Sequence, residues 1–167
     1  MAGKEPWDSS SEKAKELKIA DFGSPEEVRE MAKMPRTAKN RQETTEILKE
    51  IAKKGPIASK TGIVATLSSD SIGKIVSSKA LNNSYSQMVH FHVAANIDKL
   101  FLNAIEPWKF ELNPNKNNTE LGSRRYLYAP CEYEDRIFPV KITVKEYKDQ
   151  NLGKRLYSVE AIDVDLA

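Results

Sequence analysis

The chain has 167 residues, with 26 basic and 24 acidic side chains and a net charge of +2, which suits one mildly basic domain. Such a domain buries roughly 70% of its unfolded surface, so it needs neither a disulfide nor a metal to fold. A lone cysteine, Cys131, excludes an intrachain disulfide framework and a cysteine-based zinc site.

The two histidines, His90 and His92, stand two residues apart, which puts them on different faces of a helix and argues against joint metal ligation; no cofactor is expected. No run of about 18 apolar residues is present to span a membrane. Met1 to Asp8 lacks the apolar core of a signal peptide. The expected setting is the cytoplasm, of the producing cell or of one into which a larger protein delivers the domain. The basic bias permits a nucleic-acid partner without requiring one.

In chain order, residues 1–22 read as a flexible lead-in, rich in Lys, Glu and Ser, with a possible short helix over Glu12–Leu17. A single domain follows over 23–167, helical over 23–106 and sheet-forming over 107–166. Ser24-Pro25-Glu26-Glu27 predicts an N-cap and capping box for a helix running to about Met34, before Pro35. A second helix is predicted from Arg41 to Lys53, ended by Gly55-Pro56. Ile63–Leu67 reads as a short strand, and Ser68–Ser71 as the cap of a third helix or turn carrying Ile72, Ile75 and Val76.

The longest helix is predicted over Tyr85–Ile105, with Val89, Val93, Ile97, Leu100, Phe101, Ala104 and Ile105 as its buried stripe. Asn113–Asn118 reads as a polar, mobile loop. Three strands follow, at Arg124–Tyr133, Arg136–Tyr147 and Leu156–Val164, the first two joined by a tight turn at Glu134-Asp135 and the last two by Gln150–Gly153. Phe138, Val140, Ile142 and Val144 alternate with Pro139, Lys141, Thr143 and Lys145, giving one buried and one polar face. The fold class is α+β, with N-terminal helices packed on a C-terminal antiparallel sheet.

Lys141, Thr143 and Lys145 line the polar face over roughly 13 Å, with Tyr157 or Ser158 beside them depending on register. Two ammonium groups around a hydroxyl suit a phosphate; the alternative is an ordinary solvent-facing strand. His90 lies at the edge of the buried stripe and His92 on the polar flank. Either could serve as general acid or base, and either could be a hydrogen-bonded structural residue. Gly73-Lys74, followed by Ser77, Ser78 and Lys79, lacks the phosphate-loop pattern, which excludes nucleoside triphosphate binding by that motif. Ser77, Ser78 and Lys79 could still hold a phosphate or simply end a helix. Arg124-Arg125-Tyr126-Leu127-Tyr128 interleaves base with aromatic, as nucleic-acid surfaces do, although its tyrosines could instead pack under helices. Cys131 has no base near it in sequence and reads as a small buried hydrophobe.

The run Gly62–Ser68, then Lys74–Ala80, His90 with Ala94–Phe101, Val140–Glu146 and Tyr157–Glu160 resembles one family. It is similar to the large polyvalent protein-associated and phage MuF C-terminal domains, which are assigned to the Barnase–EndoU–colicin–RelE (BECR) superfamily of metal-independent RNases, many of them toxins. The resemblance covers about residues 55–164 and rests on His90 six residues before Asn96, the Lys141-x-Thr143-x-Lys145 strand and Tyr157-Ser158. It implies a BECR-like fold and RNA cleavage without a metal. His90 would move the 2′-hydroxyl or leaving-group proton, Lys141 and Lys79 would stabilise the phosphorane, and Thr143 and Tyr157 would orient it. Ser78, Lys145, Arg125 and Tyr126 would bind the RNA. An immunity protein or antitoxin is the implied partner. The alternative is a non-catalytic phage or mobile-element accessory module that binds protein or nucleic acid through the same face. ADP-ribosyl transfer would need an Arg, Ser and Glu set that the sequence does not display in order.

Overall fold

Among the described residues, five of the six α-helices begin at a residue whose short polar side chain satisfies an otherwise orphaned backbone N–H. A computed structural model describes residues 18–107, 124–149 and 154–164. Ser24 caps α1 (Pro25–Ala32): its hydroxyl accepts from the Glu27 N–H at 3.2 Å, and the Glu27 carboxylate accepts the Ser24 N–H at 2.8 Å. Asn40, Ser68, Ser77 and Ser86 do the same for α2 (Arg41–Lys53), α3 (Ser69–Ile75), α4 (Ser78–Asn83) and α5 (Gln87–Ala95). Gly55, at φ 104°, ends α2 in the left-handed conformation that costs a glycine little. Residues 19–22, expected as the end of the lead-in, form a 3₁₀ turn that buries Phe22. Among the described residues no helix is long and apolar enough to cross a membrane. The expectations for Glu12–Leu17, Asn113–Asn118 and Gln150–Gly153 lie outside the described residues.

The single long helix expected over Tyr85–Ile105 is divided. Helix α5 stops at Ala95, Asn96 adopts φ −119° and ψ 26°, and α6 runs over Ile97–Asn103. The Asn96 amide explains the break, because its bonds lie outside the helix. Its Oδ1 accepts the Arg36 N–H at 3.0 Å, and its Nδ2 donates to the Arg36 carbonyl at 2.9 Å and the His92 carbonyl at 2.8 Å. Asn96 is wholly buried, so these bonds also meet its own desolvation cost. The Arg36 guanidinium then grips Asp98 at 2.7 and 3.0 Å and the Ala95 carbonyl at 3.1 Å. At its ends the predicted helix gives way to strand-like pairing: the Tyr85 N–H donates to Val164, and Ile105 exchanges both bonds with Tyr128.

Strands β1 (Ile57–Ala58), β2 (Val64–Thr66), β3 (Arg124–Tyr133), β4 (Arg136–Asp149) and β5 (Lys154–Val164) form one sheet in the order β1-β2-β5-β4-β3. The last three are antiparallel, as predicted, whereas β2 joins β5 in parallel, which makes the sheet mixed. The β3–β4 turn holds Glu134 at φ 52° and Asp135 at φ 65°, the two positive φ angles of a type I′ hairpin.

Helices α2, α3, α5 and α6 bury one sheet face. Leu48, Ile75, Val93, Ile97, Leu100 and Phe101 meet Leu127, Ala129, Val140, Ile142, Val144 and Ile162 in a single cluster, all with essentially no exposure. The other face carries a smaller cover, in which Phe22 and Val28, with Ile19 and Met31, pack on Tyr128, Tyr126 and Ile137. This cover belongs to the 3₁₀ turn and α1, and the β3–β5 row at Arg124, Lys145 and Ser158 stays exposed or half-exposed.

Candidate functional site

His90 is fully buried under the helix-covered face. Its Nε2 lies 2.8 Å from the Ile75 carbonyl, which can only accept, so Nε2 carries the proton and Nδ1 accepts from the Ser84 hydroxyl. Both nitrogens are therefore used inside the protein, and burial pushes the imidazole below its ordinary pKa. His92, on the same helix, donates from Nε2 to the Glu132 carbonyl at 3.1 Å and lies against the Tyr133 ring. Its Nδ1 is buried without a hydrogen-bond partner, and burial again holds its pKa down. Burial pushes the Cys131 thiol up to about 12, so it is an inert, packed sulfur.

The outer face is assembled by strand register. Arg124 pairs with Lys145, Tyr126 with Thr143 and Tyr128 with Lys141 across β3 and β4. Across β4 and β5, Lys145 pairs with Ser158, Thr143 with Ala161 and Lys141 with Asp163. Directly opposed residues share a face, so Arg124, Tyr126, Lys141, Thr143, Lys145 and Ser158 stand together on the side away from α5. Thr143 is buried, and the half-buried Lys141 holds its ammonium 5.0 Å from the centre of the Tyr126 ring. Lys74 of α3 and Arg124 both reach Glu160, at 3.1 and 3.9 Å.

The constellation expected from the sequence is thus divided in space. Lys141, Thr143, Lys145 and Tyr126 come together, while His90 lies beneath the opposite face. The register places Ser158, not Tyr157, beside the lysines. Tyr157 pairs with Glu146 on the helix side, where its hydroxyl accepts from Arg125 Nη1 at 2.9 Å. Arg125 also grips Glu106 at 2.6 and 2.8 Å, and that carboxylate raises the guanidinium pKa. The Ser78 hydroxyl accepts from Arg41 of α2 at 3.1 Å, and Lys79 beside it is exposed.

Glu160 is a residue that residue-by-residue reading does not single out, yet the sequence holds a clue to it. Apolar positions in β5 fall at Val159, Ile162 and Val164, with a step of three where alternation requires two. The structure has its bulge there: Val144 pairs with Val159 and Thr143 with Ala161, leaving Glu160 as the extra residue.

Two grooves elsewhere are walled by carboxylates. One of about 620 Å³ is lined by Glu26, Glu27, Glu30, Met31, Lys99 and Leu102, among others, and one of about 410 Å³ by Glu43, Glu46, Ile47 and Glu50. Neither suits an anionic ligand. Among the described residues no group of three or more His, Cys, Asp or Glu side chains is placed to hold a metal.

No curated protein and no solved structure matches the chain. One family model does, over residues 35–157, which takes in α2 to α6, β1 to β4 and the start of β5. That match spans well over half of the sequence and both sides of the sheet, and by it the chain belongs to the large polyvalent protein-associated domain 3 family.

Proposed function

We propose that the domain is an accessory module of a phage or mobile-element polyprotein that binds RNA, without cleaving it, through the outer face of β3, β4 and β5. The observation that supports this most is the register, which gathers Arg124, Lys141, Lys145, Ser158 and Tyr126 on one face. Cations neutralise phosphates, hydroxyls donate to them, and the part of the Tyr126 ring that the 3₁₀ turn and α1 leave half-exposed can stack on a base. The state of His90 supports binding over catalysis, because a general base needs a free nitrogen within reach of its proton and both nitrogens of this ring are occupied.

A metal-independent ribonuclease is the second reading, and one observation favours it. Thr143 and Lys141 are set into the face rather than standing on an open plain, as a phosphorane-stabilising pair would be. Cleavage by His90 would require the ring to leave Ser84 and Ile75, and an immunity protein or antitoxin over the face would accompany this reading alone.

The test is a fluorescein-labelled 12-nucleotide RNA incubated with the purified chain in EDTA, followed by anisotropy and on a gel. Binding that weakens as salt rises, with the RNA left intact, is the expected result. RNA shortened in EDTA by the wild type and spared by His90→Ala would replace this reading with the ribonuclease. No binding at low salt would remove it.

A further inference from the structure

The bulge that sets Glu160 on the outer face puts a carboxylate among cations that no helix-side structure requires. We infer that Lys74, Arg124, Lys145, Ser158 and Thr66 form a phosphate seat at one end of this face, and that Glu160 occupies it as a resident anion which an incoming phosphate displaces. The inference deepens the RNA-binding reading and rests on it.

The seat is a row running across four strands. Thr66 of β2 registers with Ser158 of β5, Ser158 with Lys145 of β4, and Lys145 with Arg124 of β3. At strand spacing this row of two hydroxyls, an ammonium and a guanidinium spans roughly 14 Å, and the Thr66 hydroxyl, which donates to the Tyr157 carbonyl at 3.3 Å, can turn to a bound phosphate. Thr66, Lys145 and Ser158 are half-exposed and Arg124 is exposed, so the row faces solvent beyond the cover of the 3₁₀ turn and α1. Lys74 enters from the side, on the short helix that follows β2.

Glu160 has the position of a built-in competitor. Its side chain is only 18% exposed, while the two cations it meets are more than half exposed, Lys74 at 52% and Arg124 at 53%. Those two residues come from separate elements, α3 and β3, and converge on one carboxylate across β5. A regular β5 would have no extra residue at this point; the bulge inserts one on the outer side, opposite Thr143 along with Ala161. With both cations more than half exposed to solvent, such pairs contribute little stability, which leaves the cations free to exchange partners. A phosphate brings more charge and more acceptor oxygens than a carboxylate, so Lys74 and Arg124 can turn from Glu160 to it without moving their backbones.

The test uses the full chain as wild type, Glu160→Gln and Glu160→Gln/Lys74→Gln. Each is titrated with fluorescein-labelled 12-nucleotide oligouridylate, and with pyrophosphate followed by backbone amide shifts. Glu160→Gln should bind the oligonucleotide about 3- to 10-fold more tightly than wild type at low salt. Its log–log salt dependence should steepen by about 1, because removing one carboxylate leaves one more positive charge to release a counterion on binding. The double variant should fall back toward wild type, and pyrophosphate should shift the amides of Thr66, Lys145 and Ser158 more strongly in Glu160→Gln. Unchanged or weaker oligonucleotide binding by a Glu160→Gln protein with a wild-type circular dichroism spectrum would overturn the seat, while leaving the face as an RNA surface if Lys141→Glu still weakens binding. If no protein binds oligouridylate, the RNA reading fails. Pyrophosphate shifts confined to the row would then retain the seat for a smaller phosphate ligand, and their absence would overturn it.

Discussion

Polar groups on the two faces of the sheet meet different ends. On the helix side, His90, His92, Asn96, Arg125 and Glu106 are each tied to a partner within the protein, mostly a backbone carbonyl or an opposite charge. On the outer side, Lys145 stays half-exposed and Arg124 exposed, and Arg124 shares one carboxylate, Glu160, with Lys74 of α3. The contrast follows from desolvation: a group buried under four helices must be satisfied internally or neutralised, so it turns into architecture. A group on a thinly covered face remains available to a ligand. A histidine on a helix is therefore weaker evidence of catalysis than its chemistry suggests, because burial decides whether that chemistry can be reached.

The strongest attempt to break the contrast is Phe101→Ala, which removes a fully buried ring from the helix side. It should cost about 3–5 kcal/mol of stability in a urea melt, while the folded fraction keeps its RNA affinity. Asn96→Ala comes next. It leaves the Arg36 N–H and carbonyl without their buried partner, at roughly 1–3 kcal/mol, and should speed hydrogen exchange at the α5–α6 junction. On the outer side, Tyr126→Leu keeps most of the apolar contact with the α1 cover but removes the ring. RNA affinity should fall by about 1–3 kcal/mol, read by anisotropy, with little change in melting.

Acid separates the faces further. Both imidazoles hold protons less readily in the folded protein than at their ordinary value of 6.5, because burial disfavours the cation. The unfolded chain therefore takes up more protons as the pH falls below that value, and stability falls with it; above it the contribution is complete. The midpoint of urea unfolding should drop between about pH 7.5 and 5.5, and His92→Phe should flatten part of that slope. An equal slope in the variant would show that His92 does not contribute. The smallest effect belongs to the hairpin, where Glu134→Asn with Asp135→Gly should raise stability by about 0.5–1 kcal/mol by suiting the two positive φ angles.

Local chemistry made much of this fold legible. The caps at Ser24 and Ser68, Gly55, the Glu134-Asp135 turn and the alternation in β4 each act within a few residues and were read from the sequence, whereas the caps at Asn40, Ser77 and Ser86 and the helix Ser78–Asn83 were not. The other failures concern partners distant in sequence. Asn96 looks like a tolerable helix residue until Arg36, sixty positions away, offers it a backbone edge. The parallel pairing of β2 with β5 and the two-residue strand β1 have no local signature. The site was legible in part for the same reason. Alternation placed Lys141, Thr143 and Lys145 on one face, but only register could choose Ser158 over Tyr157, and only packing could reveal that His90 has no free nitrogen.

The central claim is that the outer face, and not the positive charge of the chain as a whole, meets RNA. The most direct test is one charge reversal in each region, Lys145→Glu on β4 and Lys53→Glu on the exposed surface of α2, titrated with labelled 12-nucleotide RNA across a salt series. Loss of affinity and a shallower salt dependence in Lys145→Glu, with Lys53→Glu close to wild type, is the predicted result. Equal losses in both variants would mean that binding follows net charge, and would contradict the assignment of the face.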